Sequence, residues 1–372
     1  MKYIWQHQNW NSFSWDSHQL LPLLSKARRT QGEILSRGKA FGERLTSQAQ
    51  AEVLVEEAVK TSAIEGEILN RDLVRSSVAR HLGLSYAGLG EVDRHIDGLV
   101  EVLLDATRNY KKPLNAERFF SWHAALFPTG YSGLSKIRVG KWRNNPMQVV
   151  SGPMERHKVH YEASPSEQVA QEMGQFLLWF KKSQGSTEGF LRSAIAHFWF
   201  VVIHPFDDGN GRIARVLTDM ALAQDEGIPV RFYSLSSQIM EERKMYYDVL
   251  EKVSKGNGDI TPWLVWFLGC LIRAMERSQT IIGKVIVKAE FWQKHSQTII
   301  NERQRKIINR LLDTGKGEFQ GGLSTRKYVS LAKVSRATAY REITDLVKKG
   351  VLRLLKGRGR SAAYDMGLGK NE

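Results

Sequence analysis

Cysteine is almost missing from this chain. One residue, Cys270 in WFLGC, stands among 372. A single thiol excludes an internal disulfide and any cysteine-clustered metal centre, and its apolar neighbours mark it as a small core residue. Long apolar runs are missing too. No stretch reaches 18 apolar residues, so no membrane-spanning helix and no membrane partner are expected. The N-terminal MKYIWQHQNW has neither a basic start leading into an apolar stretch nor a small-residue cleavage site, which predicts a soluble, cytoplasmic protein. Internal repeats and low-complexity linkers are absent as well. What is present is 42% hydrophobic residues, enough over this length to bury a sizeable core in two or three domains.

Charge is plentiful but uneven. The formal net charge is +15, and residues 301–372 hold 17 Lys+Arg against 7 Asp+Glu. A basic C-terminal module predicts a polyanionic partner, with DNA the first candidate; the competing reading is a solvated surface that aids solubility.

From about residue 20 to 280 the chain reads as helix. ERLTSQAQAEVLVEEAVKTSAIEGEI has helical spacing and ends near Gly66. LGEVDRHIDGLVEVLLDATRNY follows, then NAERFFSWHAALFP, which opens with Asn115 as N-cap and stops at Pro128. Ser164 before Pro165 predicts another helix entry. Further helices are expected at about 188–203, 210–225, 237–254 and 261–280. One part breaks the pattern: MQVV and HKVHY around SGPMER read as a β-hairpin at about 143–161. A lone hairpin is marginally stable, so it should lie over something. From 301 the texture changes to a helix (NERQRKIINRLLDTG), a short helix (STRKYVSLAKV) and a longer one (SRATAYREITDLVKKG) with Ser335 as N-cap and Gly350 as stop. Strand, basic turn and strand in VLRLLKGRGRSAAYDM complete the order of a winged helix-turn-helix.

The chemistry concentrates in HPFDDGNGRIAR, residues 204–215. Pro205 cannot continue the helix before it, which places His204 at the lip of a pocket. Gly209, Asn210 and Gly211 admit backbone conformations closed to bulky residues. Their amides then converge where RIARVLTDMALAQ begins a helix, and converging amides at a helix N-terminus bind anions. Arg212 and Arg215, three apart, share one helical face and add phosphate contacts. Asp208 beside phosphates calls for a cation between them, and Mg²⁺ prefers one or two carboxylates plus phosphate oxygens. His204 supplies a base for an attacking hydroxyl. A tight helix–helix turn with surface arginines would explain Pro205 and the glycines, but neither Asp208 nor the paired arginines. The set predicts phosphoryl or nucleotidyl transfer.

The stretch resembles the signature of the Fic family, His-x-Phe-x-(Asp/Glu)-Gly-Asn-Gly-Arg-x-x-Arg, which His204, Phe206, Asp208, Gly209, Asn210, Gly211, Arg212 and Arg215 match throughout. The resemblance covers roughly residues 50–280. It implies a mainly α fold with a β-hairpin flap, and transfer of AMP from Mg²⁺-bound ATP to a Ser, Thr or Tyr hydroxyl of a protein, the chain itself included. The flap residues would be Val149, Val150 and Val159, aligning a target segment by strand addition. Thr61, Glu65 and Gly66 in TSAIEGEIL fit the (Ser/Thr)-x-x-x-Glu-(Gly/Asn) inhibitory motif of many Fic proteins, which makes Glu65 the inhibitory residue; read without the resemblance, Glu65 is one solvated helix-end glutamate among many. The domains implied are an N-terminal helical region with the inhibitory helix at 1–90, the Fic core at 91–284 and the winged helix-turn-helix at 285–372. A DNA-binding regulator whose Fic core only senses nucleotide is the alternative, with AMP removal, another nucleotide donor and a homo-oligomer also open.

Other constellations carry less. His157 and His160 in HKVH have zinc-like spacing but no second ligand pair. GKGEFQGG lacks the Lys-Ser/Thr ending of a P-loop and reads as a loop. Lys356, Arg358 and Arg360 sit where the wing of the basic module would touch phosphate. The ten tryptophans are most simply core.

Overall fold

A computed structural model describes residues 3–39, 43–84, 93–151, 158–314, 322–356 and 362–367. The chain divides into two compact units, one of Met1–Gly42, Ala49–Leu84 and Leu89–Gln279, the other of Glu43–Gln48, Ser85–Gly88 and Thr280–Glu372.

The described elements up to residue 294 are helical apart from two hairpins, and belong to the first unit except for Glu43–Gln48 of α2 and residues 280–294 of α11. In chain order they are α1 (Ser17–Lys39), α2 (Glu43–Ile64), α3 (Arg71–Leu82), α4 (Arg94–Arg108), α5 (Ala116–Leu126), β1 (Tyr131–Ser132), β2 (Ser135–Lys136), β3 (Gln148–Ser151) and β4 (Lys158–Glu162). Then come α6 (Val169–Lys182), α7 (Gly189–Ile203), α8 (Asn210–Glu226), α9 (Leu235–Glu241), α10 (Arg243–Ser254) and α11 (Thr261–Lys294). No described helix is long and apolar enough to cross a membrane.

At the centre is α7, whose sequence GFLRSAIAHFWFVVI is apolar on every face. Such a helix must be buried all round, and thirteen of its fifteen residues are. It packs along α8, in which Ile213, Val216, Leu217 and Met220 are buried. Several polar residues inside this core are paired. Arg192 donates to Phe180 O at the end of α6 and to Gln224, and burial lowers its pKa to about 10. His197 meets Thr218 Oγ1 and the Tyr246 hydroxyl, each at 2.9 Å. Trp263 donates to Ala194 O.

Several sequence expectations need revision. The helix expected at 237–254 is two, α9 and α10, because Glu242 leaves helical geometry and its carboxylate accepts from Arg273 Nε and Nη2 at 2.6 Å each. The Ser164 hydroxyl does not cap α6; it donates to buried Glu172, and a 3₁₀ turn at Ser166–Gln168 leads into the helix. Asn115 does cap α5, accepting from Arg118 N. The described flap strands each lie one residue later than MQVV and HKVHY: Gln148 pairs with Glu162 and Val150 with Val159, with a bulge between Val149 and Val150. Residues 152–157, including the turn and His157, lie outside the described residues; His160 bonds Glu251 of α10. The small β1–β2 hairpin was not foreseen.

In the second unit α12 (Glu302–Thr314), α13 (Thr325–Ala332) and α14 (Arg336–Lys348) precede β5 (Leu352–Lys356) and β6 (Ala363–Met366). The two strands pair antiparallel, and Leu323, between α12 and α13, adds a bridge to Tyr364. Ile307, Ile308, Tyr328, Ile343 and Leu346 form its core. Ser335 caps α14 by accepting from Thr338 N. Inward, α14 sets Ala339, Glu342, Ile343 and Leu346; outward it leaves Ala337, Tyr340, Arg341 and Lys348 exposed. Arg358 and Arg360 lie outside the described residues, as does most of GKGEFQGG.

Candidate functional site

The site forms where α7 stops and α8 starts. The residues that end α7 also shape the pocket. His204 adopts left-handed backbone geometry, φ +52°, which a residue with a β-carbon takes rarely. That twist, followed by Pro205, ends the helix within one residue. The His204 imidazole turns back and Nδ1 donates to Val201 O at 3.1 Å, which leaves Nε2 as the lone-pair nitrogen. Burial lowers the His204 pKa, the Val201 bond opposes that, and the Arg143 charge lowers it further. The ring is therefore neutral near pH 7.

The acidic turn is held from inside. Phe206 is fully buried and stacks on His123, ring centroids 4.2 Å apart. Asn210 is spent on the same turn: its side chain accepts from Phe206 N and donates to Phe206 O. Its contribution to an anion cradle is thus limited to its backbone. His123 accepts from Gly140 N at Nδ1 and so donates from Nε2 to Asp208 O; burial drops its pKa to about 4. Asp208 accepts from Gly209 N and from the Ser132 hydroxyl of β1. Asp207 accepts from Arg138 N. Both aspartates thereby tie the β1–β2 segment to the turn.

Gly209 has φ +79° and precedes the first turn of α8, whose leading N–H groups have no partner within the helix. A β-carbon on Gly211 would lie 2.2 Å from Glu65 Oε1. The carboxylate of Glu65, just past the end of α2, therefore lies directly against this helix start. Arg215 Nη2 donates to it at 2.7 Å, while Arg215 Nε bonds Thr61 Oγ1 and Nη2 also reaches Thr61 O. The Arg215 side chain is 1% exposed, and Glu65 keeps it charged against the cost of burial. Arg212 lies over the Phe127 ring and pairs with Glu67 at 3.3 Å. Both arginines thus meet the segment 61–67.

His204, Asp208, Gly209, Gly211, Arg212, Arg215 and Glu65 come together within this turn and its cover. Val149 and Val159 are half-buried and Val150 is 47% exposed on the hairpin. Three residues of the site carried no sequence signal. Arg243 Nε and the Tyr247 hydroxyl donate to Ile64 O, so α10 holds the end of α2. Arg143 donates from Nε to His204 O at 2.8 Å. Their partners are backbone carbonyls, and no pattern of residue types announces a side chain that will bond to backbone far along the chain.

The fold and the turn define a helical protein built around a helix start that lies against a carboxylate, with a histidine beside it. Residues 113–222 match the Fic/DOC family, so this part of the chain is a Fic domain. Residues 3–84 match a domain of unknown function, DUF4172. The protein adenylyltransferase Fic of Culex quinquefasciatus is 32% identical over 105 residues, 28% of this chain and 19% of that protein. That of Drosophila ananassae is 22% identical over 231 residues, 62% of this chain and 42% of that protein. The chain therefore spans less than half the length of these relatives. A Fic family protein from Desulfovibrio desulfuricans has the same fold, with a TM-score of 0.50 at 20% identity over 94% of this chain and 97% of that one.

Proposed function

We propose that the protein transfers AMP from Mg²⁺-bound ATP to a Ser, Thr or Tyr hydroxyl of a protein, itself included, and that Glu65 restrains it. The observation that carries this reading is the carboxylate at the start of α8, bonded to Arg215. A place beside a helix start that takes a carboxylate onto a buried guanidinium suits a phosphate for the same electrostatic reason. Among the described residues, Arg215 Nη1 and Arg212 Nε are buried without hydrogen-bond partners, so an incoming triphosphate would satisfy donors that Glu65 leaves bare. The name of the relatives, protein adenylyltransferase, supports AMP as the group moved.

His204 is the base. With Nδ1 committed to Val201 O, Nε2 takes the proton of the target hydroxyl as that oxygen attacks the α-phosphorus; the bond to the β-phosphate breaks and pyrophosphate leaves. Asn210 and Gly211 present backbone N–H groups to the phosphates, Gly209, whose own N–H is held by Asp208, shapes the turn that aims them, and Arg212 and Arg215 hold the phosphates. Asp208 would hold Mg²⁺. Its oxygens accept from one amide and one hydroxyl and keep lone pairs, and one carboxylate with phosphate oxygens suits this ion. When bound, Mg²⁺ neutralises phosphate charge. Val149, Val150 and Val159 would align a target strand along the hairpin edge.

The domains follow: 1–90 with the inhibitory helix, 91–284 as the catalytic core, and 285–372 as a winged helix-turn-helix. A second reading, a nucleotide-sensing regulator that binds DNA, rests on that last domain. Its element order, the Leu323–Tyr364 bridge and the outward face of α14, with Tyr340 62% exposed beside Arg341 and Lys348, suit a helix that enters a groove. Incubation of wild type and Glu65→Gly with labelled ATP and Mg²⁺ tests the two. Label on protein supports transfer; ATP-modulated DNA binding without label supports the sensor.

A further inference from the structure

The last carbonyls of a helix have no partner within it. At the end of α7 five successive carbonyls, from Val201 to Pro205, all accept a hydrogen bond. Val201 O takes His204 Nδ1, and Val202 O takes the Tyr161 hydroxyl at 2.7 Å. Ile203 O and His204 O take Arg143 Nη2 (3.4 Å) and Nε (2.8 Å), and Pro205 O takes the Arg143 backbone N–H at 2.8 Å. Apart from the imidazole itself, the donors are Arg143 and Tyr161. Tyr161 lies in β4, and Arg143 stands shortly before β3.

The remaining bonds of Arg143 lead into the flap stem. Nη1 donates to Asn145 O at 3.0 Å, just ahead of β3, and Nη2 donates to Ser164 O at 2.6 Å, just beyond β4. Ala163 N closes the stem on Met147 O. We infer that Arg143 is a positioning residue that locks the flap stem to His204, so that base and target-aligning strand share one hydrogen-bonded frame. The inference rests on the proposed role of His204 as base.

An arginine that only capped α7 would need the carbonyls of Ile203 and His204 and nothing more. Arg143 is 2% exposed, and its bonds to His204, Asn145, Ser164 and Ile203 all go to backbone carbonyls. Burying a guanidinium is costly, and burial lowers its own pKa. What the cost secures is geometry: a planar fork with a third direction reaches α7, Asn145 and Ser164 at once, which a lysine ammonium on a flexible stem cannot reproduce. Its charge also contributes, behind burial, to keeping His204 neutral.

The test uses the full chain in the Glu65→Gly background, with Arg143→Lys, Tyr161→Phe and His204→Ala. Three quantities are measured: Mg²⁺·ATP affinity by calorimetry, the rate of self-AMPylation, and the ring ¹⁵N shifts of His204. Arg143→Lys should keep nucleotide affinity and lose about a hundredfold in rate, the scale of a misplacement of ~1 Å. Its His204 ring should pass from a single Nδ1–H form to a tautomer mixture. Tyr161→Phe, which deletes one hydroxyl from the same frame, should move rate and ring shifts the same way by less, and it serves if Arg143→Lys does not fold. Parental rate and unchanged ring shifts in a folded Arg143→Lys, or in Tyr161→Phe where that variant must serve, would overturn the inference. A fully active His204→Ala would instead remove the base reading, and the ring shifts alone would then decide whether Arg143 orients His204.

Discussion

Glu65 and Arg215 stand 150 positions apart in sequence and 2.7 Å apart in space. One is just past the end of α2, the other in the second turn of α8, and the arginine is almost wholly out of solvent. On the proposed function, a carboxylate in that place would compete with a phosphate for the same cation. Glu65→Gly should therefore raise AMP incorporation well above wild type, self-modification included. Arg215→Ala should lower it even in the Glu65→Gly background, since the clamp itself is gone. Labelled-AMP incorporation by wild type, both single variants and the double variant decides this; a Glu65→Gly protein no more active than wild type, on itself and on a cell lysate, would mean that Glu65 is an ordinary helix-end glutamate.

Gly211 offers a separate check on the anion place. A β-carbon there would lie 2.2 Å from Glu65 Oε1 and 3.2 Å from Arg215 Nη1. Gly211→Ala should push Glu65 away and yet yield no active protein, because the methyl group fills the place meant for phosphate. Calorimetry should show weaker Mg²⁺·ATP binding in Gly211→Ala than in Glu65→Gly. Activation by Gly211→Ala equal to that by Glu65→Gly would mean the phosphates bind elsewhere.

His204→Ala should abolish transfer while leaving nucleotide affinity largely intact, because the imidazole acts on the attacking hydroxyl. General-base contributions are typically of order 10²–10⁴ in rate. Single-turnover rates in the Glu65→Gly background measure it. Near-normal turnover would mean the base is another group.

Stability should fall in acid through two other histidines. Burial lowers the pKa of His197 to about 3 and of His123 to about 4, whereas in the unfolded chain both take up protons near pH 6.5. Both are neutral in either state at pH 8, so neither contributes there. As pH falls below about 6.5 the unfolded chain gains protons that the folded protein refuses, at about 1.4 kcal/mol per pH unit per histidine. The loss levels off only below the folded pKa values. Urea midpoints at pH 7.5, 6, 5 and 4.5 should decline accordingly. In His123→Asn the decline should be shallower by one proton, and an unchanged slope would assign it to other groups.

The second unit is tested through α14. If its outward face enters a DNA groove, Arg341→Ala and Lys348→Ala should weaken binding of the full chain to duplex DNA. Affinity should fall steeply with salt as counterions are released. Binding to protein alone, insensitive to salt, would rule out the groove reading.

Much of the site was legible because its residues are consecutive. Between positions 204 and 215 the motif brings the histidine, the acidic turn, the glycines and both arginines onto one helix start, and local geometry suffices to place them together. The caps at Asn115 and Ser335 and the flap pairing of Val150 with Val159 are local in the same sense. In two places where expectation failed, a side chain outside the local pattern had intervened. Arg273 bonds the Glu242 carboxylate where a helix that periodicity reads as continuous divides, and Glu172 takes the Ser164 hydroxyl expected at the entry to α6.

From sequence alone followed the helical class, the hairpin, the anion-binding helix start and the residues able to do its chemistry, since period, turn residues and backbone freedom are encoded over a few neighbouring positions. Tertiary structure alone decided which carboxylate covers Arg215, that α10 holds the end of α2 through Arg243 and Tyr247, and that Arg143 meets His204. Those contacts join positions 61 to 183 residues apart, and the ones that end on backbone carbonyls leave no residue pattern from which a partner could be read.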